Sequence, residues 1–411
     1  MAIDNKDKKV LKSSIEREQN EVACSAECEK IKGSKNLNVP HLRFPEFTEE
    51  WKETKLGKIA EITKGSGISK DRLSEYGSPC ILYGELYTKY KSEIINEVYS
   101  RTELDSSLLV KSKANDVIIP CSGETAIDIS TARCVPFNNI LLGGDLNIIR
   151  LKNNDGGFFA YQLNGTRKKD IARVAQGVSV VHLYGENLKH IRVYHPAIEE
   201  QKKITRLLSL IDKRIATQNK IIEDLKKLKS AISERLFKSV KGSTVLLSDL
   251  CDIVKGKQIN GENLSDSGNY YVMNGGTEPS GYYDNYNVEA STISISEGGN
   301  SCGYVQFNTS PFWSGGHCYS IQNIADKVDN MYLYHYLKSN EDAIMKLRIG
   351  SGLPNIQKKD LAMFKIIVPK IEWQIKISTF LSSLERKAEI EERIQNVMQK
   401  QKLYLLQQMF I

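Results

Sequence analysis

Two stretches decide the fold of this chain. Residues 196–208 have the sequence PAIEEQKKITRLL, and residues 369–381 have the sequence PKIEWQIKISTFL. Each begins with a proline that follows a short, β-like apolar run, and each opens a long charged segment rich in leucine and isoleucine. The two prolines are 173 positions apart, and the same spacing recurs in the surrounding chain.

The repeat extends over most of the sequence. The 173-residue spacing relates Gly177/Gly350, Leu188/Leu361, Gln201/Gln374, Lys203/Lys376, Leu208/Leu381, Ser209/Ser382 and Phe237/Phe410. Upstream, a spacing of 191 residues relates Leu56/Leu247, Ile62/Ile253 and Lys64-Gly65/Lys255-Gly256. The chain is therefore predicted to contain two copies of one unit, a globular part followed by a long helix. The second globular part is shorter by 18 residues, the difference between 191 and 173.

The predicted fold class is α+β, with two mixed α/β globular parts. Short apolar runs bounded by Gly, Asn, Asp and Ser predict strands at 81–83, 117–119 and 147–149. Helical spacing appears at about 158–174 and 331–347. The predicted domains are a flexible or partly helical extension (1–38), globular parts at 39–196 and 242–369, and long helices at 197–241 and 370–411.

The two long segments carry apolar residues on alternating steps of three and four, which indicates a heptad seam. The seam residues are Ile204, Leu208, Ile211, Ile215, Ile222, Leu225, Ile232 and Leu236 in the first helix, and Ile377, Leu381, Leu384, Ala388, Met398, Leu405 and Met409 in the second. Polar residues interrupt both seams: Gln218 and Lys229 in the first, and Glu391, Gln395 and Lys402 in the second. Such breaks are typical of a coiled coil whose register must be specified.

Each helix of about 39 residues would be about 58 Å long at 1.5 Å per residue. A helix of that length is not expected to be stable alone in water, so we expect the two to pair with each other as an antiparallel coiled coil. That pairing would place the two globular parts at opposite ends. A spacer of about 58 Å corresponds to about 17 base pairs of DNA, which suits two half-sites one helical turn or slightly more apart.

Composition predicts a protein of the cytoplasm with reduced cysteines. Of its 411 residues 40% are apolar and 26% are charged, and the formal net charge of +7 permits an acidic partner without requiring one. No stretch approaches 18 consecutive apolar residues, and Met1 to Lys12 lacks an apolar signal region. The eight cysteines show no metal-ligand spacing, so no metal is expected.

Motifs of autonomous catalysis are missing from the sequence. There is no Gly-x-Gly-x-x-Gly, no Gly-x4-Gly-Lys-Ser/Thr and no His-Glu-x-x-His. The Asn-Pro-Pro-aromatic motif of amino-methyltransferases is also absent, and the six histidines are scattered singly. We therefore expect no catalytic residue and no cofactor bound by this chain.

The remaining signals favour nucleic-acid binding, because glycine-rich loops with cationic, amide and hydroxyl donors suit phosphates and base edges. In the first copy the candidate residues are Lys64, Gly65, Ser66, Lys70, Arg72, Lys89, Lys91, Ser122, Gly123, Glu124, Arg133, Gln176, Gly177 and Ser179. In the second they are Lys255, Gly256, Lys257, Gln258, Asn274, Gly275, Gly276, Thr277, Ser280, Tyr282, Tyr283, Gly298, Gly299, Asn300, Gly350, Ser351 and Gly352. Lys-Gly turns and glycine-rich hairpins are also common without function, and Trp313 is expected in the core.

In these features the chain resembles the DNA-specificity subunit of a type I restriction–modification system. The resemblance lies in the lead-in Val39–Phe47 with Trp51, in the glycine-rich segments 271–276, 296–300 and 312–316, and above all in the doubled layout. It implies two target recognition domains, each reading one half of a split, asymmetric site in double-stranded DNA. It also implies paired helices that dock two adenine-methylating methyltransferase subunits, which restriction and translocation subunits join. S-adenosylmethionine, ATP and magnesium would then belong to the partners.

Two other functions stay open on the residues alone. One is a stand-alone DNA methyltransferase or nuclease, against which the missing motifs argue. The other is a coiled-coil scaffold that joins two protein-binding domains without contacting DNA. Salt-sensitive, sequence-selective DNA binding would separate the specificity subunit from the scaffold.

Overall fold

The computed structural model describes residues 38–350, 352 and 354–411. Apart from Asn38, the predicted extension at 1–38 lies outside the described residues, and so does the candidate Ser351. The described chain divides into two compact units, one formed by residues 38–212 with Lys400–Ile411 and one formed by Lys213–Gln399. Both divisions fall inside long helices, whereas the predicted domain boundaries lie at helix ends. Those boundaries stay a prediction.

The strands of the first unit are short and follow the apolar runs of the sequence. They are β1 Lys52–Lys55, β2 Ala60–Lys64, β3 Ser78–Ile81, β4 Ser100–Thr102, β5 Asp116–Pro120, β6 Ser122–Gly123, β7 Arg133–Val135, β8 Leu141–Leu142, β9 Leu146–Leu151, β10 Val181–His182 and β11 Arg192–His195. Every residue of β5 is buried, which explains why its sequence is continuously apolar after Asp116.

The second unit contains the remaining strands. They are β12 Ser243–Leu246, β13 Asp252–Lys255, β14 Tyr270–Met273, β15 Tyr282–Tyr283, β16 Thr292–Ser296, β17 Val305–Asn308, β18 Trp313–Ser314, β19 Cys318–Gln322 and β20 Lys365–Val368.

The sheets of the two units have the same topology. A four-stranded antiparallel sheet has the order β2-β9-β5-β7 in the first unit and β13-β19-β16-β17 in the second. A three-stranded sheet has the order β4-β3-β8 in the first and β15-β14-β18 in the second, with β3-β8 and β14-β18 parallel. The pairs β1-β11 and β12-β20 complete the correspondence. The repeat that the sequence predicts is therefore a repeat of fold.

Helices occupy the expected places. The short ones are α1 Leu56–Ile59, α2 Glu85–Thr88, α3 Ala126–Ile129, α4 Gly156–Asn164, α5 Lys168–Val174, α6 Gly185–Lys189, α8 Asn330–Ser339, α9 Glu341–Met345 and α10 Lys358–Ala362. The long ones are α7 Ile198–Ser239, with 42 residues, and α11 Ile371–Gln408, with 38 residues. The predicted helical regions at 158–174 and 331–347 are each divided in two, because Gly165 and Asn340 end α4 and α8.

One strand prediction was wrong at its end. The run 81–83 was expected to be strand throughout, but β3 ends at Ile81. The backbone N–H of Leu82 donates to the carboxylate of Glu85 at 3.0 Å. Because that bond replaces a strand pairing, the chain turns into α2 at this point.

The repeated glutamines join each long helix to its globular part. The side-chain amide of Gln201 donates to the carbonyl of Pro196 at 2.9 Å and accepts from the backbone N–H of Asp155, also at 2.9 Å. Gln374 makes the same bonds to Pro369 and Asp329, both at 2.8 Å. Both glutamines are fully buried, so their recurrence has a structural cause.

The repeated phenylalanines anchor the ends of the long helices. In the first unit Phe410 packs on Phe158, with ring centroids 5.1 Å apart, and on Trp51 at 6.3 Å. In the second unit Phe237 packs on Tyr332 at 5.8 Å and on Tyr336 at 5.2 Å. Each core therefore contains the last turns of the long helix that belongs to the other sequence repeat.

Candidate nucleic-acid interface

The repeated Lys-Gly dipeptides lie where the chain leaves β2 and β13. The N–H of Gly65 donates to the carbonyl of Leu146 at 3.0 Å, and that of Gly256 donates to the carbonyl of Cys318 at 2.8 Å. A Cβ at Gly65 would lie 1.9 Å from the carbonyl oxygen of Gly143, and one at Gly256 would lie 2.2 Å from that of Gly315. Close backbone approach therefore explains both glycines. The lysines Lys64 and Lys255 remain exposed beside them.

A second loop of the first unit lies against the strand end that carries Ser122 and Gly123. Strand β6 pairs with β10, and Gln176 forms a bridge with His182. Gly177 has a φ of +121°, and a Cβ there would lie 2.2 Å from the carbonyl oxygen of Val180. Gln176, Gly177 and Ser179 are exposed, and Glu124 is exposed next to them. The structure thus brings these candidates to one rim.

The second unit repeats this arrangement. Gly298 forms a bridge with Asn355, and the N–H of Gly299 donates to the carbonyl of Pro354 at 3.0 Å. Gly350 has a φ of +103°, so it matches Gly177 in conformation as well as in spacing. Gly350, Gly352 and Asn300 are exposed.

Two other candidates of the first unit, Lys70 and Lys89, line a cleft. The cleft has a volume of about 790 Å³ and is lined by Lys70, Glu85, Lys89 and Asp145 among others. Lys89 donates to Glu85 at 2.6 Å and to Ser100 at 3.0 Å, so part of its bonding capacity is already used. The remaining cations Arg72 and Lys91 are exposed, whereas Ser66 is half-buried and accepts from the N–H of Val110 at 2.8 Å.

Arg133 was wrongly placed in the interface. It is only 7% exposed. Its guanidinium donates to the carbonyls of Leu86 at 3.1 Å, Tyr90 at 2.8 Å and Ala132 at 3.3 Å. Burial lowers the pKa of this guanidinium. Because the side chain is buried and each of its three nitrogens is bound to a buried carbonyl, Arg133 supports the fold.

The glycine-rich body of the second unit presents a mixed polar and aromatic surface. Lys257, Gln258, Thr277 and Ser280 are exposed, and Asn274, Gly275, Gly276, Tyr282 and Tyr283 are half-buried. The side-chain oxygen of Asn274 accepts from the N–H of His317 at 3.1 Å. These groups can donate and accept hydrogen bonds and can stack, as DNA contacts require.

Trp313 was expected in the core, but its side chain is only half-buried. Its indole N–H donates to the carbonyl of Lys257 at 2.9 Å, and its ring meets Tyr283 edge-on at 5.1 Å. The preceding residue, Phe312, is fully buried. Because successive side chains of a strand face opposite sides, Phe312 takes the core position and Trp313 the outer one.

Glu297 and His317, which are not among the predicted DNA-binding candidates, lie beside them. The carboxylate of Glu297, 4% exposed, accepts from Lys255 at 2.6 Å and from the hydroxyl of Tyr319 at 2.9 Å. His317 lies over the same carboxylate, with Nδ1 3.7 Å from Oε2. Burial, and then the bond to Glu297, raise the pKa of Tyr319. Lys255, Glu297 and His317 are at least 20 residues apart in the sequence, so no local pattern indicated this cluster.

The predicted seam residues of the long helices are all buried or half-buried. In the second unit, Gln218 Nε2 donates to Oε2 of Glu391 at 2.6 Å and to its backbone carbonyl at 3.1 Å. Gln395 bonds to Asn219, and Lys229 pairs with Glu385, which also accepts from Tyr334 at 3.2 Å.

In the first unit, Lys402 has the position that matches Lys229 of the second, 173 residues earlier in the sequence. Its ammonium lies 2.6 Å from a carboxylate oxygen of Glu93 and 2.6 Å from one of Asp212, which also accepts from Tyr161 at 2.7 Å. Burial by itself would lower the pKa of Lys402, but Glu93 and Asp212 together raise it. Burial, and then Glu93, raise the pKa of Asp212. Every polar break of the predicted seams therefore has a polar partner.

Neither a metal cluster nor a membrane helix appears in the part of the chain that the structure describes. Within residues 38–350, 352 and 354–411, no group of three or more His, Cys, Asp or Glu side chains could hold a metal ion. No helix in the same residues is long and apolar enough to cross a membrane.

A family model for the type I restriction modification DNA specificity domain matches this chain twice, at residues 48–227 and 241–400. The chain belongs to the type I DNA-specificity family. The two matches correspond to the two sequence repeats, so the predicted family is confirmed, and the protein is a DNA-specificity subunit.

Relatives and solved structures agree with this membership. Two proteins of Methanocaldococcus jannaschii, named as the specificity subunits of the type I restriction enzymes MjaX and MjaVIII, are 24% and 23% identical to it. The alignments cover 90% and 88% of this chain and 94% and 91% of those proteins. A crystal structure of a type I S subunit from M. genitalium, 18% identical, has a TM-score of 0.66 over 91% of this chain and 99% of its own. That likeness shows a shared fold.

Proposed function

We propose that this specificity subunit recognises an asymmetric, bipartite site in double-stranded DNA. One half-site would be read by the loops of residues 39–196 and the other by those of 242–369. A single observation carries the proposal: the two units share sheet topology and loop bridges, but present different side chains at the matching positions. Two different surfaces on one repeated frame suit two different sequences.

The long helices α7 and α11 would pair as an antiparallel coiled coil and serve as the spacer. The polar contacts support this pairing, because residue numbers rise along α7 while those of the partners on α11 fall. Gln218 bonds to Glu391, and Lys229, further along α7, bonds to Glu385. Buried polar pairs cost stability in other registers, where they lose their partners, and so specify this one.

The chain itself would be non-catalytic. Two methyltransferase subunits that modify adenine would dock on the helices, and restriction and translocation subunits would join through them. S-adenosylmethionine, ATP and magnesium would be bound by those partners, in the cytoplasm. One structural neighbour, 14% identical with a TM-score of 0.54, comes from work on complex assembly of a type I system, which agrees with partner subunits in general.

The direct test is to map methylated adenines in cells that express this chain with its methyltransferase subunit. We expect one motif with two different defined halves and an undefined gap between them. Methylation by the purified chain alone would overturn the non-catalytic assignment. A motif without two halves, or binding that is insensitive to sequence and salt, would favour an enzyme of another design or a protein scaffold.

A heptad insertion tests the spacer. Seven residues would be inserted after Lys227 and seven after Lys387, so that the Gln218–Glu391 and Lys229–Glu385 contacts each stay on one side of the inserted heptads. We expect the gap to lengthen, by at most about three base pairs, with both half-sites unchanged. The matched control inserts one heptad only, which misaligns the polar partners and should abolish modification. Changed bases in a half-site would contradict the spacer role.

A further inference from the structure

The two units place different chemistry at structurally matching points. Asp145 and His317 each follow a Gly-Gly pair that ends a short parallel strand, β8 in one unit and β18 in the other. The carbonyl of Asp145 accepts from the N–H of Cys121 at 2.7 Å, and that of His317 accepts from the N–H of Glu297 at 2.9 Å. Hence Asp145 matches His317, and Cys121 matches Glu297.

In the first unit the inner group at this point is neutral. The thiol of Cys121 is buried, and burial raises its pKa to about 11. The acid, Asp145, is on the outside and is exposed. Such a rim offers an acceptor to DNA.

In the second unit the acid is inside and the imidazole outside. Oε1 of Glu297 accepts from Lys255 and Tyr319, whereas Oε2 has no hydrogen-bond partner among the described residues and is covered by His317. The side chain of His317 is 58% exposed. The charged group beside its ring is thus the carboxylate of Glu297, whose other oxygen binds the ammonium of Lys255. This rim offers donors to DNA, supported from below by a buried anion.

We propose that His317 is a DNA-contacting residue of the second unit, positioned by Glu297. A small rotation of the exposed ring would let Nδ1–H donate to Oε2 of Glu297. Nε2 would then point outward to the DNA, where it accepts a hydrogen bond from a base amino group in the neutral ring and donates to an acceptor atom in the imidazolium. Lys255, held by the same carboxylate, would lie beside it. Glu297 touches no DNA in this arrangement and acts as the positioning residue.

The inference rests on the proposed function, and its test uses the complex of the full chain with its methyltransferase subunits. The probe is a duplex carrying the mapped site, with a scrambled duplex for comparison, at several salt concentrations. We expect His317→Ala to weaken binding to the mapped duplex roughly tenfold or more, as for loss of one good contact. His317→Gln keeps a side-chain hydrogen-bond donor, so its affinity for the mapped duplex should lie between those of the wild-type complex and the His317→Ala complex.

Glu297→Gln should change the affinities for the two duplexes in different ways, which loss of a purely structural residue would not do. It removes a negative charge beside the DNA, so binding to the scrambled duplex should strengthen or hold while the preference for the mapped duplex falls. His190→Ala, which removes an exposed histidine of the first unit outside the candidate loops, is the matched control and should change nothing.

The outcomes separate the possible contacts. A loss confined to one base pair of one half-site identifies a base edge, and a uniform loss with a salt slope smaller by about one identifies a phosphate; either supports the inference. Unchanged affinity and salt slope in both His317 variants would overturn it while leaving the proposed function intact. A wild-type complex that does not prefer the mapped duplex would overturn the proposed function, and this inference with it.

Discussion

The two units of this protein are alike where the chain must hold a shape and different where it meets solvent. Gly65 and Gly256 make the same close backbone approach, and Gln201 and Gln374 make the same pair of buried bonds. By contrast, Asp145 and His317 occupy matching rim positions with opposite chemistry. A repeated frame can therefore diverge in what it recognises without losing its fold, provided the buried bonds are kept.

The difference extends into the interior. The buried ammonium of Lys402 faces two carboxylates, whereas Lys229 faces one, and the latter pair is more exposed. His335 of the second unit is a buried histidine, whereas the first unit has the buried Tyr161 at the matching position, six residues after the cap of its helix. The two interiors should therefore respond differently to mutation and to pH.

The largest expected effect tests what the units share. Phe410→Ala should destabilise the first unit, and Phe237→Ala the second, by about 3–5 kcal/mol each, because both rings are buried among aromatic partners. Hydrogen exchange of helix α4 should report the first substitution and that of α8 the second. Tyr404→Ala, an exposed control on α11, should leave both unchanged within about 0.5 kcal/mol. Faster exchange confined to the wrong unit would contradict this packing.

A smaller effect separates the two ion clusters. Lys402→Met leaves Glu93 and Asp212 buried without a cation, so we expect a loss of about 3 kcal/mol. Lys229→Met strands one carboxylate, Glu385, whose side chain is 24% exposed, and should cost about 1 kcal/mol. Hydrogen exchange of α4 measures the loss of stability in the Lys402 variant, and that of α8 measures the loss in the Lys229 variant.

Adding Asp212→Asn to Lys402→Met should recover part of the loss, because it removes one of the two like charges. Equal losses in the two units, or no recovery in the double variant, would show that the cluster charges are balanced by other groups.

The third prediction concerns pH and applies to the second unit alone. Burial lowers the pKa of His335 to about 4, and its ring is 2% exposed against Ser382 of α11, at 2.9 Å. Above about pH 6.5 the ring is neutral in both states, so it contributes no pH dependence. Between about pH 6.5 and 4 the unfolded state binds the proton first, and stability falls by about 1.4 kcal/mol per pH unit. Below about pH 4 the loss levels off.

His335→Gln, which keeps a polar side chain that does not titrate, should remove this pH dependence. The measurement is the exchange of α8 at pH 5 and at pH 7, corrected for the intrinsic exchange rate, with α4 as the internal reference. At pH 5 the wild-type second unit should have lost about 2 kcal/mol relative to pH 7. An equal pH response in the glutamine variant would assign the effect to other groups.

Much of the fold was predictable because its signals are local. Apolar steps of three and four predicted the long helices, and the structure has them at Ile198–Ser239 and Ile371–Gln408. Matching spacings such as Gln201/Gln374 predicted the doubled layout. The end of β3 was missed because a single side chain, Glu85, takes the N–H of Leu82. A periodic pattern carries no signal of such a competing bond.

The candidate interface was predictable only in outline. Glycine-rich loops with polar neighbours marked its loops, and the structure places those loops together on each unit. Arg133 was misassigned because the sequence does not show whether an arginine binds phosphates or buried carbonyls such as that of Leu86. The proximity of His317 and Glu297 could not be predicted, because 20 residues separate them and no spacing rule joins them.

The sequence by itself determined that this protein is two copies of one unit with long helices, since periodicity and repeated spacing are properties of the chain. Only the tertiary structure decided which polar residues are available for recognition. Burial and hydrogen-bond partners come from segments far apart, as when Lys402 meets Glu93 or Lys255 meets Glu297. Whether a charge supports the fold or faces a ligand depends on those partners, which no stretch of sequence contains.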